Sequence, residues 1–402
     1  MSVTGASEAT GSVTGASEAT GSVTGASEAT GSVTGASEAT GSVGEFRTAV
    51  RVWLDENDLT PGPDLTFDKQ VEQLGRVRRA LYDAGWMRYG WPKEVGGLGG
   101  PAMLRAVLGE EVATRDLAEP GIYSMIEVLA PTMIKYASPE LAAEMVPRLL
   151  DGSEQWCQGF SEPGSGSDLA SLSTRAEQRG DQWVINGQKV WTSLAQFATR
   201  CVLLTRTGPG HDGITAFFLD MDTPGITVRP LTTMHDREEF CEVYFDDVVV
   251  PADRMLGNPG DGWKLAMDLL PHERSSCFWH RIAYLFTRLD QVAAVSDPAD
   301  DRELGDAYLA LHTVRSRSYG TQKRLQAGLP LGPETSVDKV LLATAEQQLF
   351  DTARDLIPGR IELFDTELRT EFLYSRAASI YGGTAEIQRN IIARRLLQLG
   401  KE

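Results

Sequence analysis

The stretch "CQGFSEPGSGSDLASL", Cys157–Leu172, sets three glycines and four serines around Pro163. Backbone N–H groups of such a loop can converge on one concavity, the arrangement that holds a phosphate or pyrophosphate. Ser161 and Ser167 add hydroxyl donors. Taken alone, the same composition also makes a plain surface turn. Its companion is "KVWTS", Lys189–Ser193, where Trp191 stands at a strand end before two hydroxyl residues. A tryptophan there reads equally well as core.

Working outward, the chain from 156 to 258 has strand-and-turn character. "QWVINGQKVWTS" reads as two alternating runs joined by a hairpin at Asn186-Gly187. "GITAFFLDMDTPGITVRP" and "CEVYFDDVVVP" continue the pattern. On the N-terminal side, 44–155 is helical in texture. "PAMLRAVLGEEVATRDL" puts Met103, Leu104, Val107, Leu108 and Val112 on one helical face, and the Gly/Pro-rich "GWPKEVGGLGGP" reads as a loop. Helical texture returns over 259–402 and ends in "RNIIARRLLQLG", with Ile392, Leu396 and Leu399 on one stripe. Helices, strands, helices: the order predicts an α+β protein with a β-domain between an N-terminal and a C-terminal helical domain. Residues 1–43 carry a ten-residue unit, "GSVTGASEAT", repeated without variation. It is too poor in apolar side chains to offset ordering entropy, so disorder is expected there.

A chain of 402 residues is long enough for two or three domains. Its formal charge of -18 opposes nucleic acid or an anionic membrane as a general partner. Cys157, Cys201, Cys241 and Cys277 lie far apart with no CxxC pair, and the five histidines do not cluster with them. That spacing favours neither a disulfide framework nor a metal site, and a cytoplasmic location is expected. No apolar run approaches the length of a membrane span.

Six segments together resemble the acyl-CoA dehydrogenase family, in family order: "GWPKEVGGLGG", "LAPTMIKYASPE", "FSEPGSGSDL", "NGQKVWTS", "EVYFDDVVVP" and "IYGGTAEIQRNIIARR". The resemblance implies an N-terminal α-helical domain (44–155), a middle β-barrel domain (156–258), a C-terminal α-helical bundle (259–402) and FAD between the last two. It implies cofactor contacts from Phe160, Ser161, Ser167, Trp191, Ser193 and Thr384. Ser161 would address the pyrimidine edge of the flavin, Ser193 the neighbourhood of N5, Trp191 the ring and Ser167 the pyrophosphate. Donors near N1, O2 and N5 stabilise the charge a flavin gains on accepting hydride. Arg274, Ser167, Tyr381 and Gly383 are implied substrate contacts.

The reaction class takes an α-proton and a β-hydride from an acyl thioester, so it needs a base of raised pKa and a hydrogen-bonded thioester carbonyl. In some branches the base occupies the position of Gly382, within "IYGGTAEIQR". Branches resembling isovaleryl- and long-chain-CoA dehydrogenases have glycine there and a glutamate on a helix of the C-terminal domain. "MDLLPHERSSC" places Glu273-Arg274 at that point, with Pro271 disturbing the helix just before it. Glu273 is thus the expected base, and the Gly382 N–H remains for the thioester carbonyl. Without the resemblance, Glu273 reads as a surface glutamate paired with an arginine. Glu386 reads as a helix N-terminal carboxylate.

The family's Arg-x-x-Phe-Gly and "QxxGGxG" segments, which complete a neighbour's FAD site, have no match in "FTRLDQVAAVSDPADDRELGD" or "DLIPGRIELFDTEL". A dimer or tetramer with a distinct partner subunit, or an altered adenine site, would account for that. The resemblance implies dehydrogenation of a branched or bulky acyl-CoA, in sterol side-chain or fatty acid degradation, with electrons passed to an electron-transfer flavoprotein. The alternatives are an acyl-CoA oxidase and a non-catalytic subunit.

Overall fold

The computed structural model describes residues 42–62 and 65–400, so the expectation for the repeats lies outside the described residues. The first helix, α1 (Val43–Glu56), starts on a capping box in which Ser42 Oγ accepts from Glu45 N and Glu45 Oε2 accepts from Ser42 N. Five more helices follow: α2 (Phe67–Asp83), α3 (Met103–Thr114), α4 (Pro120–Tyr123), α5 (Ile126–Tyr136) and α6 (Pro139–Leu150). The five apolar residues expected on one face of α3 are buried, but so are Ala106, Gly109, Glu111 and Ala113. The helix is covered on both sides, by α1 and by α8 (Ser276–Ala293) of the C-terminal half. A methyl on Gly109 would lie 2.0 Å from His280 Nε2 on α8, so the two helices meet where no side chain fits. Glu111 accepts from Arg47, Arg51 and Arg115, which lets a carboxylate be buried there.

Among the described residues, eight strands form one mixed sheet: β1 (Trp156–Gly159), β2 (Arg175–Arg179), β3 (Gln182–Ser193), β4 (Arg200–Arg206), β5 (Ile214–Asp220), β6 (Ile226–Leu231), β7 (Phe240–Pro251) and β8 (Met255–Leu256). Their order is β6-β7-β3-β2-β4-β5-β8, with β1 parallel to β4. The hairpin expected at Asn186-Gly187 is absent, because β3 runs straight through it. The turn is two residues long at Gly180-Asp181, where Arg179 pairs with Gln182 and Gly180 has φ +66°. Asn186 and Gly187 instead mark a register shift against β7. The Asn186 side chain accepts from Asp247 N at 2.9 Å, and a methyl on Gly187 would come within 2.6 Å of Thr174 Cα. The same two residues that favour a hairpin also suit a bulge with a close backbone neighbour.

The C-terminal part adds α7 (Gly262–Glu273), α8, α9 (Asp301–Gln326), α10 (Glu334–Leu356), α11 (Thr366–Ser375) and α12 (Ala385–Ile391). The stripe expected at the C-terminus is not buried as one. The helix gives way to a wider π-turn over Ile392–Leu396, where Ile392 and Leu396 are half-buried and Leu399 is exposed. Among the described residues, no helix is long and apolar enough to cross a membrane.

Candidate active site

The site starts from a break between two helices. Pro271 cannot donate to its helix, and α7 ends two residues later at Glu273. Two tight turns follow, with Arg274 N bonded to Pro271 O and Ser275 N to His272 O, before α8 begins. Glu273 therefore stands at a helix terminus rather than within a helix. Gln158 Nε2, on β1, donates to Glu273 Oε1 at 2.5 Å. Burial pushes the Glu273 carboxyl above its ordinary range, against the opposing pull of the Gln158 amide and the Arg274 and Lys339 cations.

Gly382, 109 positions further along the chain, faces the same carboxylate. A methyl added there would lie 3.7 Å from Glu273 Oε2, in ordinary contact. The acid on α7 thus borders the space that a side chain at 382 would enter. The turn carrying Gly382 is fixed by its carbonyl, which accepts from Arg274 Nε at 3.1 Å, Arg274 Nη2 at 2.9 Å and Gln388 Nε2 at 3.0 Å. The Gly382 N–H has no partner among the described residues. Gly382 and Gly383 have φ of +63° and +89°, a conformation that favours glycine. Thr384 caps α12 through Ile387 N, and Glu386, exposed in the first turn, lies 3.7 Å from Arg389. Tyr381 sits 5.8 Å from the Tyr374 ring, and the buried Lys339 ammonium lies 3.9 Å from the Tyr381 ring centre.

The Gly/Ser loop and β3 form the second half of the site. Ser161 O accepts from Val190 N at 2.9 Å, which ties the loop to the strand one residue before Trp191. Trp191 is not core. It is 60% exposed at φ +60°, with Phe240 packed edge-on 6.0 Å away. Ser161 and Ser193 are half-buried and Ser167 is exposed at the rim. Phe160 differs from its neighbours: its ring is buried in the core, and only its backbone carbonyl serves the loop, accepting from Lys189 Nζ at 3.0 Å.

Beneath the loop lies a buried ion pair that sequence reasoning missed. Lys189 Nζ meets Glu162 Oε1 at 2.8 Å, and Glu162 also accepts from Ser173 N, Ser173 Oγ and Thr174 N. Burial alone would raise the Glu162 carboxyl, yet Lys189 and these donors hold it at about 2. Burial wins for Lys189, lowering it to about 8. The carboxylate is the better-solvated partner because four donors surround it. Both residues stood within the motifs singled out in the sequence; only their burial, invisible there, separates them from ordinary surface charges. Gln158 and Gln388 also stood within quoted motifs and Lys339 did not, but nothing in the sequence set the three apart, since their roles depend on chain crossings far apart in sequence.

Comparison with known proteins shows the family. The acyl-CoA dehydrogenase N-terminal domain matches residues 44–153, the middle domain 157–248 and the C-terminal domain 260–397. The chain is 39% identical to acyl-CoA dehydrogenase IpdE1 of Mycobacterium tuberculosis over 90% of its own length and 98% of that protein. This chain belongs to the acyl-CoA dehydrogenase family. The M. tuberculosis acyl-CoA dehydrogenase FadE34 is 34% identical over 82% of this chain and 47% of that protein. Among solved structures, the Tcur3481-Tcur3483 steroid ACAD superposes with a TM-score of 0.78 at 26% identity, covering 90% of this chain and 98% of that one. The ChsE4-ChsE5 complex from M. tuberculosis gives 0.76 at 27% identity with the same coverage.

Membership makes the protein a flavin-dependent oxidoreductase whose cofactor is FAD. The residues present fit that group. An exposed tryptophan in a left-handed conformation beside Ser193 offers a flat apolar face, and the buried Thr192 hydroxyl next to it has no partner among the described residues. The half-buried Ser161 and the Gly164–Ser167 segment supply polar edges and a backbone free of bulky side chains.

Proposed function

We propose that this chain oxidises an acyl-CoA thioester with a branched or bulky acyl part to the trans-2-enoyl-CoA, with Glu273 as the base. The observation that carries the reading is the convergence of Glu273 on the space above Gly382. Glu273 takes the α-proton onto a carboxylate oxygen whose proton affinity burial has raised. The free N–H of Gly382 donates to the thioester carbonyl, acidifying that proton, while Arg274 and Gln388 hold its carbonyl from behind. Tyr381, Gly383 and Ser167 line the substrate side, and Arg274 serves it by orienting the turn. Trp191, Ser193, Ser161, Ser167, Thr384 and the Phe160 backbone hold FAD. When bound, FAD supplies the hydride acceptor, and the electrons leave to an electron-transferring flavoprotein.

A polycyclic acyl part is favoured by the likeness to a protein described as a steroid ACAD. We further infer assembly with a distinct partner subunit. Two of the similar structures are named as pairs of different chains, and the segments that complete a neighbour's adenine site are missing here.

Glu273→Gln should slow substrate-driven bleaching of the flavin by roughly 10²–10⁴-fold, the usual contribution of a positioned base, while FAD stays bound. Bleaching at the wild-type rate refutes the assignment.

A further inference from the structure

Lys339, on α10, is only 2% exposed. Burying an ammonium is costly unless something uses it. Its Nζ donates to the Ala378 carbonyl and lies 3.9 Å from the centre of the Tyr381 ring, with the Phe278 ring at 5.8 Å. A methyl placed on Gly382 would touch both Lys339 Cε at 3.9 Å and Glu273 Oε2 at 3.7 Å. The lysine stem and the carboxylate therefore flank one small volume, where the reacting carbons must sit if Glu273 is the base.

We propose that Lys339 is a positioning residue of the reaction: its ammonium anchors the Tyr381–Gly383 turn through Ala378 and Tyr381, and its charge helps keep Glu273 ionised. This rests on the assignment of Glu273. The lysine acts through the turn and the field, not by touching substrate.

The charges around this pair come from several elements. Arg274, beyond the end of α7, is committed to the Gly382 carbonyl. Glu346, on α10 itself, attracts Lys339 but is bonded to Arg281 of α8, which also holds Glu371 of α11. The Glu346 and Glu371 charges are thus both engaged by Arg281. Lys339 is drawn down to about 8 by burial, with Glu346 and Glu273 opposing and Arg274 adding to the fall. It is cationic at neutral pH, where a neighbouring carboxylate gains from it.

The test compares Lys339→Met and Lys339→Gln, which remove the charge, with Lys339→Arg, which keeps it. In each, the pH dependence of substrate-driven flavin bleaching is followed. Independently of turnover, the infrared band of the Glu273 carboxylic acid, identified by its loss in Glu273→Gln, is titrated in the resting protein. Both neutral variants should move the acid limb and the infrared titration upward by about one pH unit, the low end of what a nearby cation does to a carboxylate. The arginine variant should stay within a few tenths of wild type. Coincident titrations of wild type and Lys339→Met overturn the proposal, as does an equal shift in Lys339→Arg. If Lys339→Met does not fold, Lys339→Gln, which can still donate to Ala378, decides alone. Bleaching that survives Glu273→Gln refutes the base itself; a dead Glu273→Gln with unshifted lysine variants refutes only the role of Lys339.

Discussion

Gly382 and Gly383 are neighbours in one left-handed turn, yet they should respond to substitution differently. A methyl on Gly382 meets Glu273 and Lys339 at ordinary distances, so Gly382→Ala bears only the backbone cost of about 1–2 kcal/mol. On Gly383 the methyl would fall 2.4 Å from Gln388 Nε2 and displace the amide that holds both glycine carbonyls. Gly383→Ala should lose roughly 2–4 kcal/mol, the backbone cost plus a buried hydrogen bond. Denaturant unfolding of the two variants measures the gap, and equal losses would contradict the role given to Gln388. Trp191 shows where residue-level reading stops. Its neighbours marked it as site or core with equal force, and the deciding fact, a left-handed backbone that turns the indole outward, depends on the irregular pairing of β3 with β7.

At the level of elements, the Gly/Ser loop is held from below by the Lys189–Glu162 pair and from its far end by Arg206, whose guanidinium donates to the carbonyls of Leu172, Ala170, Gly208 and Gly210. The Glu162 carboxyl, at about 2 in the fold against 4.5 when unfolded, contributes stability that is complete above pH 4.5 and is lost as pH falls toward 2. The thermal midpoint should therefore drop across that window, and Glu162→Gln, less stable at neutral pH, should flatten that part of the profile. The order of elements was legible because periodicity changes from helix to strand and back near 156 and 259. The β2–β3 turn was not. Asn186-Gly187 carries a stronger local turn preference than Gly180-Asp181, but pairing along the whole of β3 with β7 outweighs it. The pairing of Glu273 with Gly382 was legible only through the family resemblance, because residues 109 apart share no local pattern.

Across the whole molecule, apolar side chains stay exposed near the C-terminus: Leu397 and Leu399 are each 59% exposed, and Ile380 and Leu363 are also uncovered. An exposed apolar surface of this kind is the place to test the proposed partner subunit. Co-expressed with the product of a neighbouring gene, the chain should elute as a yellow hetero-oligomer by size exclusion with light scattering. Leu397→Glu combined with Leu399→Glu should release it as a smaller species with less bound FAD. A yellow homo-oligomer that ignores both substitutions would argue for an altered adenine site within one kind of subunit.

The crossing of α3 and α8 at Gly109 and His280 bears on how such proteins can be recombined. Glu110, next to that glycine, is bonded to Arg47, Trp279 and Arg315, so at this crossing the two helical thirds interlock through both steric fit and charge. A chimaera that took its first third from one cousin and its last third from another would have to match both at once. Exchange of the sheet domain alone leaves that lock untouched.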